Sequence, residues 1–518
     1  MKDVESARIL LHSMKNQSSI LGWLTKLMAS VILVSFITCV IYYIKLLCPL
    51  AIYIETPLHI HDLEKSSSSS SSSSSLQTQS YSSQNKSNVR GVQESENPGK
   101  TQLHHIVFGI AASSHLWNQR KNYVKLWWRP GETRGFVWLD KTVSTGTEDD
   151  NSLPTLKLSS DTTKFRYKNT EGDRSALRLT RIVSETLRLG LEDVRWIVMG
   201  DDDTFFVADN LVRVLSKYDH NQFYYIGSNS ESHLQNIRFS YNMAYGGGGF
   251  AISYPLAKAL EKIQDNCIQR YPELYGSDDR VHACLAELGV PLTKELGFHQ
   301  FDLFGNVFGI LAAHPIAPLV SLHHLDLILP IFPNVNQVEA LQRLKVPMEL
   351  DSAALAQQSI CYDNARNWTI SVSWGYAVQI IRGVVTPREM ELPARSFVNW
   401  YKRADETGFT FNTRSLNKNS CQRPAVYTLS AAHYNPLTNQ TVSQYVYYKK
   451  SGHQCEWKMA NPSQIRKVEV YQKPNPFLWD KSPRRNCCRL LASEKKDTMI
   501  IDVGECVEDE IIEMYSRI

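Results

Sequence analysis

Three adjacent carboxylates, Asp201, Asp202 and Asp203, follow directly on the apolar run RWIVM (195–199) and Gly200. Neighbouring negative charges repel one another and make poor core residues, and a divalent cation removes that penalty. All-oxygen ligation suits Mg²⁺ or Mn²⁺, and an added imidazole tilts the choice towards Mn²⁺. Such an ion would bridge two phosphates of a nucleotide-sugar and neutralise the departing diphosphate. An acidic surface turn or a helix N-cap would use the same residue type. Placement after an apolar run and before Thr204-Phe205-Phe206 favours the metal reading.

Three further groups could join this chemistry. Tyr245 is followed by Gly246, Gly247, Gly248 and Gly249 and then by Phe250-Ala251-Ile252. Four glycines permit unusual dihedrals and close backbone approach to a ligand, and equally suit a flexible surface loop. Ser277-Asp278-Asp279-Arg280 precedes a helix-like stretch, 281–288. One carboxylate there could be a general base taking the proton of an acceptor hydroxyl; Ser277 or Asp278 could instead cap the helix. Last come His314-Pro315 and Ser321-Leu322-His323-His324. Paired histidines closing an apolar strand offer an imidazole to a metal, although a lone histidine is more often structural.

The elements that must position these residues alternate. HIVFGIAA (105–112), GFVWL (135–139), RWIVM (195–199) and 224–227 read as strands, the first a buried one. Residues 117–128, 175–189 and 206–218 read as helices. Alternation predicts an α/β domain with a mostly parallel sheet, in which ligands sit at the carboxyl ends of strands, where the aspartates fall. From about residue 345 short alternating strands appear, such as 368–372, 425–429 and 444–449. Six of the eight Cys beyond residue 50 lie there, predicting a smaller β-rich, disulfide-supported domain. Cys267 and Cys284 are close enough in the chain for a local disulfide, while the remaining pairings are not readable. No zinc-finger spacing is present, and a net charge of +4 over 518 residues gives no case for a nucleic-acid partner.

Leu27–Ile44 is 18 residues without a charge. At helical rise it spans about 27 Å, close to the hydrocarbon thickness, and Lys45 could snorkel to extend it. Lys2, Arg8, Lys15 and Lys26 precede it, which puts the N-terminus in the cytoplasm and the rest in the lumen. A cleaved signal peptide would carry a shorter apolar region and a small-residue cleavage site. A serine run, 66–75, begins a polar stretch suited to a flexible stem. Expected boundaries are a tail at 1–26, an anchor at 27–47, a stem at 48–100, a catalytic domain at 101–344 and a β-rich domain at 345–518. Glycosylation triplets start at Asn85, Asn367 and Asn439.

Together RWIVMGDDDTFF, AYGGGGFAIS, LYGSDDRVHACLAELGVPLTKELGFHQFD, HPIAPLVSLHHLD, QQSICYD and SWGYAVQ resemble the Fringe-related branch of the β-1,3-glycosyltransferases. The chain is more closely similar to a plant family of Fringe-like proteins once grouped as a domain of unknown function, over about Leu103–Cys506. The resemblance implies a GT-A fold, a UDP-sugar donor, Mn²⁺, inversion at the anomeric carbon, and a single-pass type II protein of the Golgi membrane acting on a glycan or glycoprotein. By motif, Asp203 matches the direct metal ligand, with Asp201 and Asp202 helping to hold metal and ribose. His323 matches the family's metal-binding histidine, and Gly246–Gly249 match its GGAGF loop. Asp279 matches the catalytic aspartate four residues before a small residue, here Ala283 where the family usually has Gly. Asp278 beside it leaves the base assignment open. The alternatives are a catalytically inactive carbohydrate-binding or scaffold protein and a metal-dependent phosphohydrolase. The latter accounts for neither the glycine loop nor the stem.

Overall fold

A computed structural model describes residues 28, 30–39, 99–143, 152–403, 405–448 and 460–510. Residues 28 and 30–39 are helical and exposed. The expected tail, the rest of the expected anchor and most of the stem lie outside the described residues, as does Asn85. Among the described residues no helix is long and apolar enough to cross a membrane.

The first apolar run forms β1 (Ile106–Ala111), buried at all six positions. Burial on both faces is why it reads as a continuous apolar stretch rather than an alternating one. The chain crosses through α1 (Trp117–Trp127) to β2 (Arg134–Leu139), parallel to β1, and β3 (Thr155–Leu158) extends that side. The single helix expected at 175–189 is two, α2 (Ala176–Thr180) and α3 (Ile182–Leu187), divided at Arg181. They lead to β4 (Trp196–Asp201), parallel to β1 on its other side.

After β5 (Phe205–Phe206) and α4 (Ala208–Leu215), the strands β6 (Tyr225–Gly227), β7 (Phe250–Ser253) and β8 (Leu292–Lys294) complete a seven-stranded sheet. Its order is β3-β2-β1-β4-β7-β6-β8. Only β7 runs antiparallel to its neighbours, so the sheet is mixed and parallel-rich. Between β7 and β8 lie α5 (Tyr254–Arg270) and α6 (Ser277–Glu287), joined by the Cys267–Cys284 disulfide that their proximity suggested.

Two small pairings follow. β9 (Phe298–His299) and β5 flank β11 (Ser321–Leu322), and β10 (Leu303–Gly305) pairs with β15 (Phe397–Asn399). The helix expected at 206–218 starts only at Ala208 because Phe205 and Phe206 are taken up in β5.

The second large sheet contains β12 (Gln358–Asp363), β13 (Trp368–Ser373), β14 (Ala377–Arg382), β16 (Ala425–Asn435), β17 (Gln440–Tyr447), β18 (Lys467–Gln472), β19 (Cys487–Leu491) and β20 (Thr498–Gly504). The order is β12-β13-β14-β16-β17-β18-β20-β19. Its two end strands are joined by the Cys361–Cys488 disulfide, so the sheet curls until its edges meet. Cys487 pairs with Cys506, and Cys421 is also disulfide-bonded.

α7 (Gln337–Asp351) packs on α1 and on β16, and it runs through the boundary expected between 344 and 345. Residues 94–518 form one compact unit.

Candidate active site

Asp201 is the last residue of β4, beside the end of β1. A tight turn follows: the Asp202 amide donates to the Ala111 carbonyl (2.9 Å) and the Thr204 amide to the Asp201 carbonyl (3.0 Å). The Thr204 hydroxyl accepts from the Asp201 amide (2.8 Å) and donates to the Gly247 carbonyl (2.7 Å). β5 then pairs antiparallel with β11, Phe205 opposite Leu322. That pairing brings His323, the next residue after β11, back to the aspartates.

His323 Nε2 lies 3.2 Å from Asp203 Oδ1 and 3.5 Å from Asp201 Oδ2. One ligand atom from each of Asp201, Asp203 and His323 falls within 4.8 Å of the others. His323 Nδ1 faces the Gln300 carbonyl at 3.2 Å. A carbonyl only accepts, so Nδ1 carries hydrogen and Nε2 is the nitrogen offered to a cation. Burial pulls the His323 pKa down, but the Asp203 and Asp201 charges outweigh it and raise it well above the usual histidine value. A cation at Nε2 would replace that proton.

His104, His105 and Asp193 also lie within ligand distance of one another. There the Gln102 amide donates to His105 Nδ1 (2.9 Å), so the hydrogen of neutral His105 sits on Nε2, towards Asp193, and the group is not poised for a metal.

Asp202 turns away from His323. Its Oδ1 accepts from Arg120 Nη1 at 3.0 Å, and Arg120 also reaches Asp203 Oδ1 (3.4 Å) and Asp326 Oδ2 (2.8 Å). Burial pushes the Asp202 carboxyl up to about 7 against the pull of Arg120. Burial acts the same way on Asp203, but His323 and then Arg120 hold it below the usual carboxylate range. Asp202 Oδ2 is buried with no hydrogen-bond partner, as are both side-chain polar atoms of Asn229 and the Tyr245 hydroxyl. Arg120 and Gln300 were not readable from sequence as site residues, since each reaches the site only through tertiary contacts.

The glycine loop is shaped by these side chains. A Cβ on Gly247 would lie 2.1 Å from the His323 ring, one on Gly246 2.7 Å from Asp278 Oδ1, and one on Gly248 3.1 Å from the Gln300 backbone. Gly249 has φ +90° and would meet the Phe206 ring at 2.9 Å. The loop is therefore packed in place rather than free.

Asp278 and Asp279 occupy the first turn of α6, whose N-cap is Gly276; no side chain caps the helix. Burial, then the charge of Asp201, pushes the Asp278 carboxyl up to about 7, while His323 pulls it down. Asp279 is also raised by burial, but its charged neighbours are His282 and Arg280. Of the two, Asp278 lies against the loop and shares the field of the aspartate–histidine cluster. His314 stands apart: it is buried, 5.1 Å from the His299 ring, and burial lowers it to about 3.

Two family models match the chain. One, described as "Fringe-like", covers residues 101–305; the other, "Protein of unknown function, DUF604", covers 235–488. A human protein named Beta-1,3-glucosyltransferase is 28% identical over 151 residues, 29% of this chain and 28% of that protein. A mouse protein of the same name is 29% identical over 119 residues, 23% of each chain. The matches thus span about a quarter of those relatives' length. The two family matches overlap and together run from 101 to 488, and they support a relationship of the chain to the Fringe-related family.

Proposed function

We propose that this chain is an inverting, metal-dependent glycosyltransferase of GT-A type, moving a sugar from a UDP-sugar to a glycan or glycoprotein acceptor through a β-1,3 linkage. The observation that carries this reading is the convergence of Asp201, Asp203 and His323, with Nε2 of His323 turned to both carboxylates, at the carboxyl end of β4. Two carboxylates and one imidazole fit Mn²⁺. When bound, the ion supplies charge neutralisation for the departing UDP.

The residues of the chain do the rest. Asp278 takes the proton of the acceptor hydroxyl as that oxygen attacks the anomeric carbon; Asp279 is the alternative base. The new carbon–oxygen bond forms as the bond to the β-phosphate oxygen breaks, and its electron pair leaves with UDP. The names of the human and mouse relatives make UDP-glucose the first donor to test. The disulfides support an oxidising, lumenal compartment, with residues 27–47 as the proposed Golgi membrane anchor.

The test is Mn²⁺-dependent UDP binding and UDP release from a panel of UDP-sugars, on wild type and Asp203→Ala. Both activities should be present in wild type and lost in the variant. Binding without turnover on any donor would favour the non-catalytic carbohydrate-binding alternative. No Mn²⁺-dependent UDP binding would remove the proposal.

A further inference from the structure

The imidazole of His323 is held on one side by the Gln300 carbonyl, and on its face by a run of stacked rings that passes through Trp400. His323 stacks on His324 with centroids 4.1 Å apart and planes at 30°. His324 stacks in turn on Trp400 (5.1 Å, 19°), and Trp400 on Phe304 (5.3 Å, 23°). His324 has φ +51°, and its Nδ1 faces the Phe301 carbonyl at 3.1 Å, which fixes that ring as well.

Trp400 is delivered by a purpose-built turn. β15 pairs with β10, placing residues 397–399 beside 303–305. The fully buried Asn399 then accepts from the Tyr401 amide (3.1 Å) and the Arg403 amide (2.9 Å) through Oδ1. Its Nδ2 donates to the Gly408 carbonyl (3.3 Å), and Lys402 takes φ +56°. The indole itself is half-buried.

We infer that Trp400 is a positioning residue for the metal: through His324 it locks the His323 ring in the plane that aims Nε2 at Asp201 and Asp203. This rests on the metal reading of that cluster. Like His323, Trp400 lies after residue 305, in the segment covered by the second family match and not by the Fringe-like one. Ring orientation set by groups behind a ligand commonly governs metal affinity by 10- to 100-fold.

The test is Mn²⁺ binding to the full chain without nucleotide, read from the electron paramagnetic resonance signal of free Mn²⁺. Trp400→Ala should weaken binding about 10-fold, and Trp400→Phe, which keeps a stacking ring, should restore most of it. His323→Ala is the control for the site itself. If wild type binds no Mn²⁺, or His323→Ala binds as wild type does, the metal reading fails. If His323→Ala loses binding while Trp400→Ala keeps wild-type affinity, the inference about Trp400 fails and the metal reading stands. Should Trp400→Ala not fold, as judged by circular dichroism, Asn399→Asp and Trp400→Leu test the same point. A Trp400→Leu protein that is folded and binds normally overturns the inference.

Discussion

A single methyl group at Gly247 would occupy space now filled by the His323 ring, 2.1 Å from its nearest atom. The ring is confined by Gln300 and His324, so it must rotate away from the aspartates. Gly247→Ala should therefore cost about 10-fold or more in Mn²⁺ affinity. Gly276→Ala, whose Cβ meets nothing within 4 Å, should leave it unchanged; titration with the free ion distinguishes them. The choice of base belongs to the same scale. Consecutive residues in a helical turn point about 100° apart, so sequence adjacency could not say which of Asp278 and Asp279 faces the site. The structure turns Asp278 to Gly246 and Asp201. Asp278→Asn should lower kcat by about 10²–10⁴ with UDP affinity retained, and Asp279→Asn by far less; the reverse order would reassign the base. A base must be unprotonated to work, and burial raises Asp278 to about 7. Its rate should thus rise with pH and level off above that value, at or below it once a cation's charge is present. A kcat/KM profile that is flat from pH 5.5 to 8.5 would speak against Asp278.

Strand-forming runs buried on both faces, such as 105–112 and 195–199, were legible as elements because both faces of the first sheet are covered. What sequence could not supply was pairing. Nothing local to Ser321-Leu322 says that it lies between β5 and β9, yet that pairing brings His323 to Asp201 and Asp203. Nor could cysteine spacing reveal that Cys361 and Cys488, 127 residues apart, tie the two end strands of the second sheet. An open edge offers unpaired backbone to other chains, and joining the ends protects both. In the chain-entropy picture a loop of this size is worth up to about 5 kcal/mol, against about 3 kcal/mol for a 17-residue loop like Cys267–Cys284. The double variant Cys361→Ser/Cys488→Ser should lose more stability in denaturant titration than Cys267→Ser/Cys284→Ser, and should aggregate more readily. An unchanged midpoint would show that the seam is held by packing alone. At the hairpin tips, Asn367 (φ +55°) and Asn439 (φ +53°) are exposed in turns. Expressed through the secretory pathway, the chain should lose mass with peptide-N-glycosidase, and Asn367→Gln/Asn439→Gln should abolish the part due to these sites.

The change of pattern near residue 345 is real in composition, since a parallel-rich sheet gives way to a meandering, disulfide-linked one. Composition does not report how the two are joined. α7 crosses that point without a break, with Leu341 and Leu344 on one side and Met348 on the other all in the same buried cluster. That cluster takes in Phe108, Trp127 and Phe206 beside the first sheet together with Ile370, Tyr427 and Ile501 of the second. Ser373 donates to the Leu311 carbonyl (2.8 Å) and Tyr376 to the Ile331 carbonyl (3.0 Å), further joining the two parts. Cutting at 344 would remove half of α7 and expose apolar surface on both sides, and each fully buried large side chain left uncovered costs about 1.5–3 kcal/mol. Several such losses exceed the 5–15 kcal/mol that holds a domain folded. The fragment 94–344 should consequently be insoluble or unfolded despite carrying the aspartates, the glycine loop and His323, whereas 94–518 should unfold in a single calorimetric transition. Two resolved transitions, or a folded 94–344 that binds Mn²⁺ as tightly as the longer chain, would mean that the second sheet is an appendage. The route from Trp400 to the metal would then have no function, because the site would be complete without the half of the molecule that carries it.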